Sequence, residues 1–116
     1  MGFILLIVAI VLSLILLPIG WFYSLITLRS DLKKLNSYAK LIALSIDQLG
    51  NVVLSNLMND TLIKENGHKF GNEDETISKV LGINKYYGKL TKLGKIISDI
   101  LNWLDKDHVE KASGLY

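Results

Sequence analysis

The hydrophobic and polar positions divide this chain into a long apolar beginning and a two-faced remainder. Residues 1–28 contain no charged side chain, and 17 positions between Phe3 and Ile26 are Leu, Ile, Val or Phe. At about −0.3 to −0.6 kcal/mol each, these side chains contribute roughly −5 to −10 kcal/mol to membrane insertion. A helix of this length, at ~1.5 Å rise per residue, crosses an average bilayer. The pattern therefore predicts a transmembrane helix over residues 1–28.

A cleaved signal peptide is the first alternative to a retained anchor. Such peptides begin with basic residues and end at a site of small residues. Here the start is Met1-Gly2-Phe3, and the bulky Trp21 lies near the end of the apolar run. These features favour retention, with Pro18 as a tolerated kink. Trp21 and the two aromatic residues after it are typical of an aromatic belt at a membrane interface.

The charges beside the apolar run predict its orientation. The amino end carries no basic side chain, whereas the exit side carries Arg29, Lys33, Lys34 and Lys40 against Asp31. The positive-inside rule then places the amino terminus outside and the rest of the chain in the cytoplasm.

Residues 29–60 form a second segment, with a predicted amphipathic helix from Asp31 to Asn59. Asp47, Gln48 and Asn51 share one side of the helical wheel, and residues 42, 46, 49, 53 and 57, all Ile, Leu or Val, share the other. This pattern predicts a helix that lies along the membrane surface or packs on a neighbour. Whether residues 41–58 re-enter the membrane stays open, because the cost of Asp47 nearly cancels their apolar gain.

The chain becomes polar over residues 61–73, which are predicted to be a loop. Asn72 and Asp74 resemble helix starts, so a short helix is predicted from Asp74 to Leu81, with Gly82 as its end. Residues 74–116 form the last segment, a basic helical region.

Within that region, a helix from Leu90 to Lys106 has the cleanest amphipathic pattern. Its apolar half either packs in a small helical bundle, which we favour, or enters the headgroup zone with Trp103 as an interfacial anchor. A last turn is predicted from His108 to Ala112. The fold class expected is all-α: a transmembrane helix followed by amphipathic helices in a small hairpin or bundle at the membrane surface.

Composition narrows the set of partners. The net charge is only +2, which makes nucleic acid an unlikely partner, and the absence of cysteine excludes disulfides and thiolate chemistry. Lysines recur without intervening acids from Lys79 to Lys95, and near an anionic leaflet each contributes about 1 kcal/mol. The candidate membrane-surface contacts are Trp21, Lys85, Lys89, Lys92, Lys95 and Trp103.

The chain contains few residues of the types that bind metals or act in catalysis. His68, Glu73, Asp74, Glu75 and His108 match no metal-ligand spacing, and there is no phosphate loop or nucleophile elbow. The sequence thus predicts no catalytic site, no metal and no cofactor.

Three stretches carry a resemblance to a known group. These are Asp47 to Asn51, Asp74 to Ser78, and Trp103 to Asp105 followed by His108, with Gly82 between the last two. In this order they resemble small, mostly uncharacterised membrane proteins of tailed bacteriophages and prophages, over roughly residues 45–110. Those relatives often carry proline where Glu73 stands here. The resemblance implies a phage origin and an envelope setting, and it implies no activity.

The same stretches suggest a polar helix-docking cluster. Its candidate members are Asp47, Gln48, Asn51, Asp74, Glu75, Thr76 and Ser78. A buried carboxylate needs partners, so we expect Thr76 or Ser78 to hydrogen-bond to Asp47 or Asn51.

The function expected is that of a phage-encoded protein of the host inner membrane, acting through helix-mediated contacts in an accessory envelope or lysis-associated role. Its partners would be the lipid bilayer and either a second copy or a phage or host envelope protein. A membrane-associated structural component of a virion and a holin-like pore former are the alternatives.

Overall fold

The computed structural model describes residues 1–116 and is all-helical. Six helices follow one another: α1 (Gly2–Leu28), α2 (Leu32–Val53), α3 (Ser55–Thr61), α4 (Ile77–Tyr86), α5 (Lys92–Leu104) and α6 (His108–Ser113). The chain divides into two compact units, Met1–Leu41 and Ile42–Tyr116, and the division falls inside α2. The predicted all-α class is therefore confirmed, with one long apolar helix at the amino end.

The first unit contains α1 and the start of α2. None of the residues of α1 is buried, and the helix continues through Pro18. It is long and apolar enough to cross a membrane. After a turn, the Asp31 side chain accepts a hydrogen bond from the backbone N–H of Lys34 at 3.2 Å, which caps the start of α2. Within this unit Trp21 stacks on Tyr38, with ring centroids 6.0 Å apart.

The predicted continuous helix from Asp31 to Asn59 is wrong in one respect. It is broken at Leu54 into α2 and α3, which are bent by 71° to each other. Taken together as one bent pair, α2 and α3 are also long and apolar enough to span a membrane. However, the bend places Met58 of α3 in the core of the second unit, so α3 contributes to the packing of that core.

The second unit is built around α4. Its core consists of eight buried apolar residues: Met58, Leu62, Ile63, Phe70, Val80, Leu81, Leu90 and Val109. Helix α4 packs chiefly against α6, and an isolated antiparallel bridge joins Ile63, just after α3, to Leu90, just before α5. Because Leu90 belongs to this bridge, α5 starts at Lys92, two residues later than predicted.

The predicted helix from Asp74 to Leu81 is shifted towards the carboxyl end. Asn72 makes a local turn, accepting a hydrogen bond from the N–H of Asp74 at 2.9 Å, and does not cap a helix. Thr76 is the actual cap, since its Oγ1 accepts from the N–H of Lys79 at 3.0 Å. Helix α4 consequently begins at Ile77.

Gly82 does not end a helix, contrary to the prediction. It lies buried inside α4, and a Cβ built there would be 1.9 Å from the carbonyl oxygen of Val109. Glycine is therefore needed at this position for the close approach of α4 and α6, and its role is in packing rather than in helix termination.

Candidate functional site

The predicted docking residues of α2 hold the segment that precedes α4. Asn51 is fully buried, and its side-chain amide donates to the carbonyl oxygens of Asn72 at 2.9 Å and Glu75 at 2.8 Å. Its Oδ1 accepts from the N–H of Gly71 at 3.2 Å. Asp47 accepts from the N–H of Ile77 at 2.8 Å, which places a carboxylate at the start of α4.

The expected side-chain partners of Asp47 and Asn51 are wrong, however. Thr76 caps its own helix, and the Ser78 hydroxyl lies 3.0 Å from Nε2 of His108. The polar side chains of α2 bind backbone groups because the turn from residue 71 to 77 leaves amides and carbonyls without secondary-structure partners. Of the other predicted cluster members, Asp74 is exposed and Gln48 is half-buried.

Two further amides fix the loop before this turn. Asn59 accepts from the N–H of Phe70 at 2.7 Å and donates to its carbonyl at 3.2 Å. Asn84, which is fully buried, accepts from the N–H of His68 and donates to its carbonyl, both at 2.8 Å. Sequence reasoning missed both residues, because nothing in the local sequence around an asparagine shows whether its side chain is buried.

Glu75 is buried beside two basic groups. Its carboxylate lies 2.8 Å from Nε2 of His68 and 3.9 Å from Nζ of Lys79. The sequence predicts that the Glu75 side chain docks on α2. Instead, this side chain contacts His68 and Lys79, and only the backbone carbonyl of Glu75 contacts Asn51 of α2. The arrangement compensates a buried charge.

Asp105, His108 and Ser78 lie in the order of a serine–histidine–aspartate relay. Nδ1 of His108 is 3.0 Å from the Asp105 carboxylate, and Nε2 is 3.0 Å from the Ser78 hydroxyl. A nucleophile must be reachable by its substrate, yet Ser78 is only 4% exposed. We therefore interpret this chain of hydrogen bonds as a structural tie between α4 and α6. Among all described residues, no group of three or more acidic, histidine or cysteine side chains is placed to hold a metal ion.

Among the predicted surface lysines, Lys85 is engaged in an ion pair. Its ammonium contacts the carboxylate of Glu110, which also accepts from the Asn102 amide at 2.9 Å. The hydrogen bond to Glu110 raises the pKa of Lys85 above its ordinary value. Burial works to raise the pKa of Glu110, but the hydrogen bonds and the charge of Lys85 outweigh it and hold that pKa below its ordinary value. Lys92 and Lys95 are exposed, and Lys89 is half-buried.

The amphipathic helices turn much of their apolar surface outwards. On α2, the side opposite Asp47 and Asn51 exposes Ile46, Leu49 and Val53 by 62–70%. Asp47 and Asn51 thus point into the second unit, whereas Ile46, Leu49 and Val53 point away from it. This is the reverse of the usual order in a water-soluble protein.

The apolar half of α5 is divided between two environments. Ile97 and Leu101 pack against the core, and the buried inner face is completed by two small residues, Gly94 and Ser98. The exposed apolar residues of α5 are Leu93, Ile96, Ile100, Trp103 and Leu104. We name these five residues the outer face of α5. The sequence favours burial of the whole apolar half of α5 in a helical bundle, but only part of that half packs against the core.

Trp103 is the most exposed member of this outer face, at 83%. Trp21, the other tryptophan, is 41% exposed beside Tyr38.

Comparison of the chain with protein-family models, with curated proteins and with solved structures found no match.

Proposed function

We propose that this chain is a small single-span membrane protein whose helical unit lies against the lipid surface through the outer face of α5. It acts in the host inner membrane through helix-mediated contacts, as an accessory envelope or lysis-associated protein of a phage. The phage origin rests on the resemblance of residues 45–110. The membrane placement rests on the apolar α1 and on the outward apolar surface of the second unit.

The single observation that carries the proposal is the exposure of five large apolar side chains along one face of α5. In water, such a contiguous patch is unfavourable by about 25 cal/mol per Å² of apolar area. Against the acyl chains just below the headgroups the same surface is stabilising. Because α1 anchors the chain in a bilayer, acyl chains are available to cover this face.

The polar residues beside this face fit the same medium. Lys92 and Lys95 are exposed at the start of α5, and Trp103 is exposed near its end. Lysine ammonium groups bind anionic headgroups, and tryptophan prefers the interface. Helix α5 then lies in the plane of the surface. Following the charge distribution around Arg29, that surface is the cytoplasmic one.

The holin-like alternative receives less support from the geometry. A pore needs polar residues to face a lumen, and in α2 these would be Asp47 and Asn51. Both are already hydrogen-bonded to backbone groups of residues 71–77 within the same unit. An accessory role leaves these contacts intact.

The test measures how deeply Trp103 lies in lipid. The full chain carrying Trp21→Phe has Trp103 as its only tryptophan, and it is reconstituted into vesicles whose phospholipids carry bromine at chosen acyl positions. We expect strong fluorescence quenching by bromines near the headgroup end. The matched control places the single tryptophan on the exposed polar side of α5, as Trp21→Phe, Trp103→Phe, Asp99→Trp, and should be quenched weakly.

Equal quenching of the two variants, or none at position 103, would contradict the proposal. The role in the cell is tested by inducing the chain in a bacterial host and following growth and membrane potential. An accessory protein leaves the potential intact, whereas immediate depolarisation would indicate a pore former. Recovery of the chain in purified phage particles would indicate a virion component instead.

A further inference from the structure

A cleft of about 380 Å³ lies in the second unit, between the loop that follows α3 and the end of α4. We call it the loop cleft, and it is lined by Asn66, Gly67, His68, Ile83, Tyr87 and Lys89. Its size falls within the range of ~300–1,000 Å³ that is usual for ligand pockets. The outer face of α5 contributes none of these residues, so the loop cleft is separate from it.

The side chains that line the loop cleft are mostly hydrogen-bond donors. They include the ammonium of Lys89, the amide of Asn66 and the hydroxyl of Tyr87, and no carboxylate is among them. The imidazole of His68 has Nε2 engaged by Glu75 at 2.8 Å, while Nδ1 has no hydrogen-bond partner within the chain. In the protonated ring Nδ1 carries a second N–H to donate. This set of groups favours an anion with several acceptor atoms.

Lys89 is half-buried and has no counter-ion. Among the lysines and the one arginine, only Lys79 and Lys89 are half-buried, and the others are exposed. Lys79 lies 3.9 Å from the carboxylate of Glu75, whereas no carboxylate lies within 4 Å of the Lys89 ammonium. Because a partly desolvated charge needs a partner of opposite sign, a bound anion would supply the one that Lys89 lacks.

The buried residue Asn84 holds both sides of the loop cleft in place. Its side-chain amide accepts from the N–H of His68 and donates to the carbonyl of His68, both at 2.8 Å. Its backbone carbonyl accepts from the N–H of Lys89 at 2.7 Å, and the Lys89 carbonyl accepts from the N–H of Lys64 at 2.7 Å. The backbone at His68 and Lys89 is therefore fixed before a ligand arrives, which reduces the entropic cost of binding.

We propose that the loop cleft binds a phosphate group, with Lys89 as its counter-ion and with His68 and Tyr87 as hydrogen-bond donors. Phosphate oxygens accept several hydrogen bonds at once, and lysine is a common phosphate ligand in proteins. Lys89 precedes the start of α5 by three positions. Since the proposed function places α5 at the lipid surface, we assign the phosphate to a phospholipid headgroup. This source rests on the proposed function, whereas the phosphate site itself does not.

The experiment titrates the full, isotope-labelled chain in maltoside micelles, which contain no phosphate. The backbone N–H signals of residues 66–68 are followed by NMR. The probes are inorganic phosphate and a short-chain phosphatidylglycerol, each compared with sodium chloride at the same ionic strength. We expect saturable shifts with both probes and none with chloride. The lipid should bind more tightly, because its acyl chains also contact the outer face of α5.

Substitution of Lys89 tests the counter-ion. Lys89→Gln should weaken binding of both probes by about tenfold or more, since it removes a charge-assisted hydrogen bond. The matched control is Lys69→Gln, which removes an exposed lysine of the same loop that does not line the loop cleft. It should weaken binding by less than about twofold. Circular dichroism verifies that both variants keep the helical fold.

A second pair of variants removes one hydroxyl each. Tyr87→Phe should weaken phosphate binding by about threefold, the effect of losing one neutral hydrogen bond. Tyr86→Phe changes the neighbouring tyrosine, which does not line the loop cleft, and should leave binding unchanged. Both tyrosines are exposed, so neither change disturbs the core.

Absence of saturable shifts with both probes, or equal weakening by Lys89→Gln and Lys69→Gln, would overturn the proposal. Equal affinity for the two probes would uphold the phosphate site and refute its assignment to a lipid. Quenching of Trp103 by brominated lipid separates this site from the proposed function. Quenching without phosphate binding would refute the site and leave the function standing, and phosphate binding without quenching would do the reverse.

Discussion

The side-chain amide of Asn51 lies 2.8 Å from the carbonyl oxygen of Glu75, and this contact joins α2 to the turn before α4. Asn51 has no exposed surface, and it satisfies three backbone groups of that turn at once. A buried amide that saturates a turn in this way specifies its conformation. The polar side of α2 is therefore an internal docking surface for the chain's own backbone.

Replacing Asn51 by leucine should destabilise the second unit by about 2–4 kcal/mol, since two carbonyls and one N–H lose their partner in a buried site. The measurement is the urea dependence of Trp103 fluorescence in detergent micelles, in the Trp21→Phe background. Asn56→Leu is the control, because Asn56 is exposed on α3. Equal stability of the two variants would show that the Asn51 contacts do not stabilise the unit.

Gly82→Ala should be destabilising even though alanine is the better helix former. The new Cβ would lie 1.9 Å from the Val109 carbonyl oxygen, so α4 and α6 must move apart. We expect a loss of about 1–3 kcal/mol or more from overpacking, measured by the same urea titration. Gly20→Ala has nothing within 4 Å of its Cβ and should leave that titration unchanged. A gain in stability from Gly82→Ala would refute the close approach.

Ile96 and Ile97 are neighbours in sequence that lie in different environments. Ile97 packs against the core, whereas Ile96 is 51% exposed on the outer face of α5. Ile97→Ser should reduce the free energy of unfolding by about 2–4 kcal/mol. Ile96→Ser should change it by less than about 0.5 kcal/mol.

The two substitutions should affect membrane contact in the opposite order, with Ile96→Ser having the larger effect. Ile96→Ser removes apolar area from the outer face, so it should weaken quenching of Trp103 by brominated lipid. Ile97→Ser should leave quenching unchanged under conditions in which the unit stays folded. Loss of stability from Ile96→Ser alone would place that side chain in a core.

Glu110 should make the second unit sensitive to acid. Its pKa is held below the ordinary value, so its ionised form contributes stability above the unfolded pKa near 4.5. That contribution is lost as the pH falls through the lower folded pKa. Glu110→Gln should therefore flatten the decline of stability as the pH falls below about 4.5.

The alkaline side gives the complementary check on the same pair. The pKa of Lys85 is raised above 10.5, so its contribution is complete below that pH and disappears as the pH rises through the folded pKa. The effect is small, because the side chain is 37% exposed. Glu65→Gln, an exposed carboxylate outside this pair, is the control and should leave both limbs unchanged. An unaltered acid limb in Glu110→Gln would contradict the assignment.

The two faces of α2 could be predicted from the sequence, but their environments could not. Periodicity places Asp47 and Asn51 on one side and Ile46 and Leu49 on the other, and the structure agrees. Periodicity is silent about which side a protein covers. The usual expectation buries the apolar side, and here the unit covers the polar one because a turn with unpaired backbone groups docks on it.

Contacts across long sequence separations were beyond prediction for a related reason. Ser78 and His108 are 30 positions apart, and nothing in their local sequence indicates that they meet. Glycine ends many helices, so the local sequence predicts a helix end at Gly82. Only the approach of α6 shows why a glycine is needed inside α4.

The sequence by itself determined the properties that depend on one stretch of chain. These are the apolar length of α1, the all-helical class and the amphipathic periods of α2 and α5, each set by local composition and side-chain spacing. The tertiary structure decided which faces are covered, where helices bend and which polar groups meet. Those outcomes depend on how distant segments satisfy each other's buried backbone groups and volumes, and no local pattern encodes that balance.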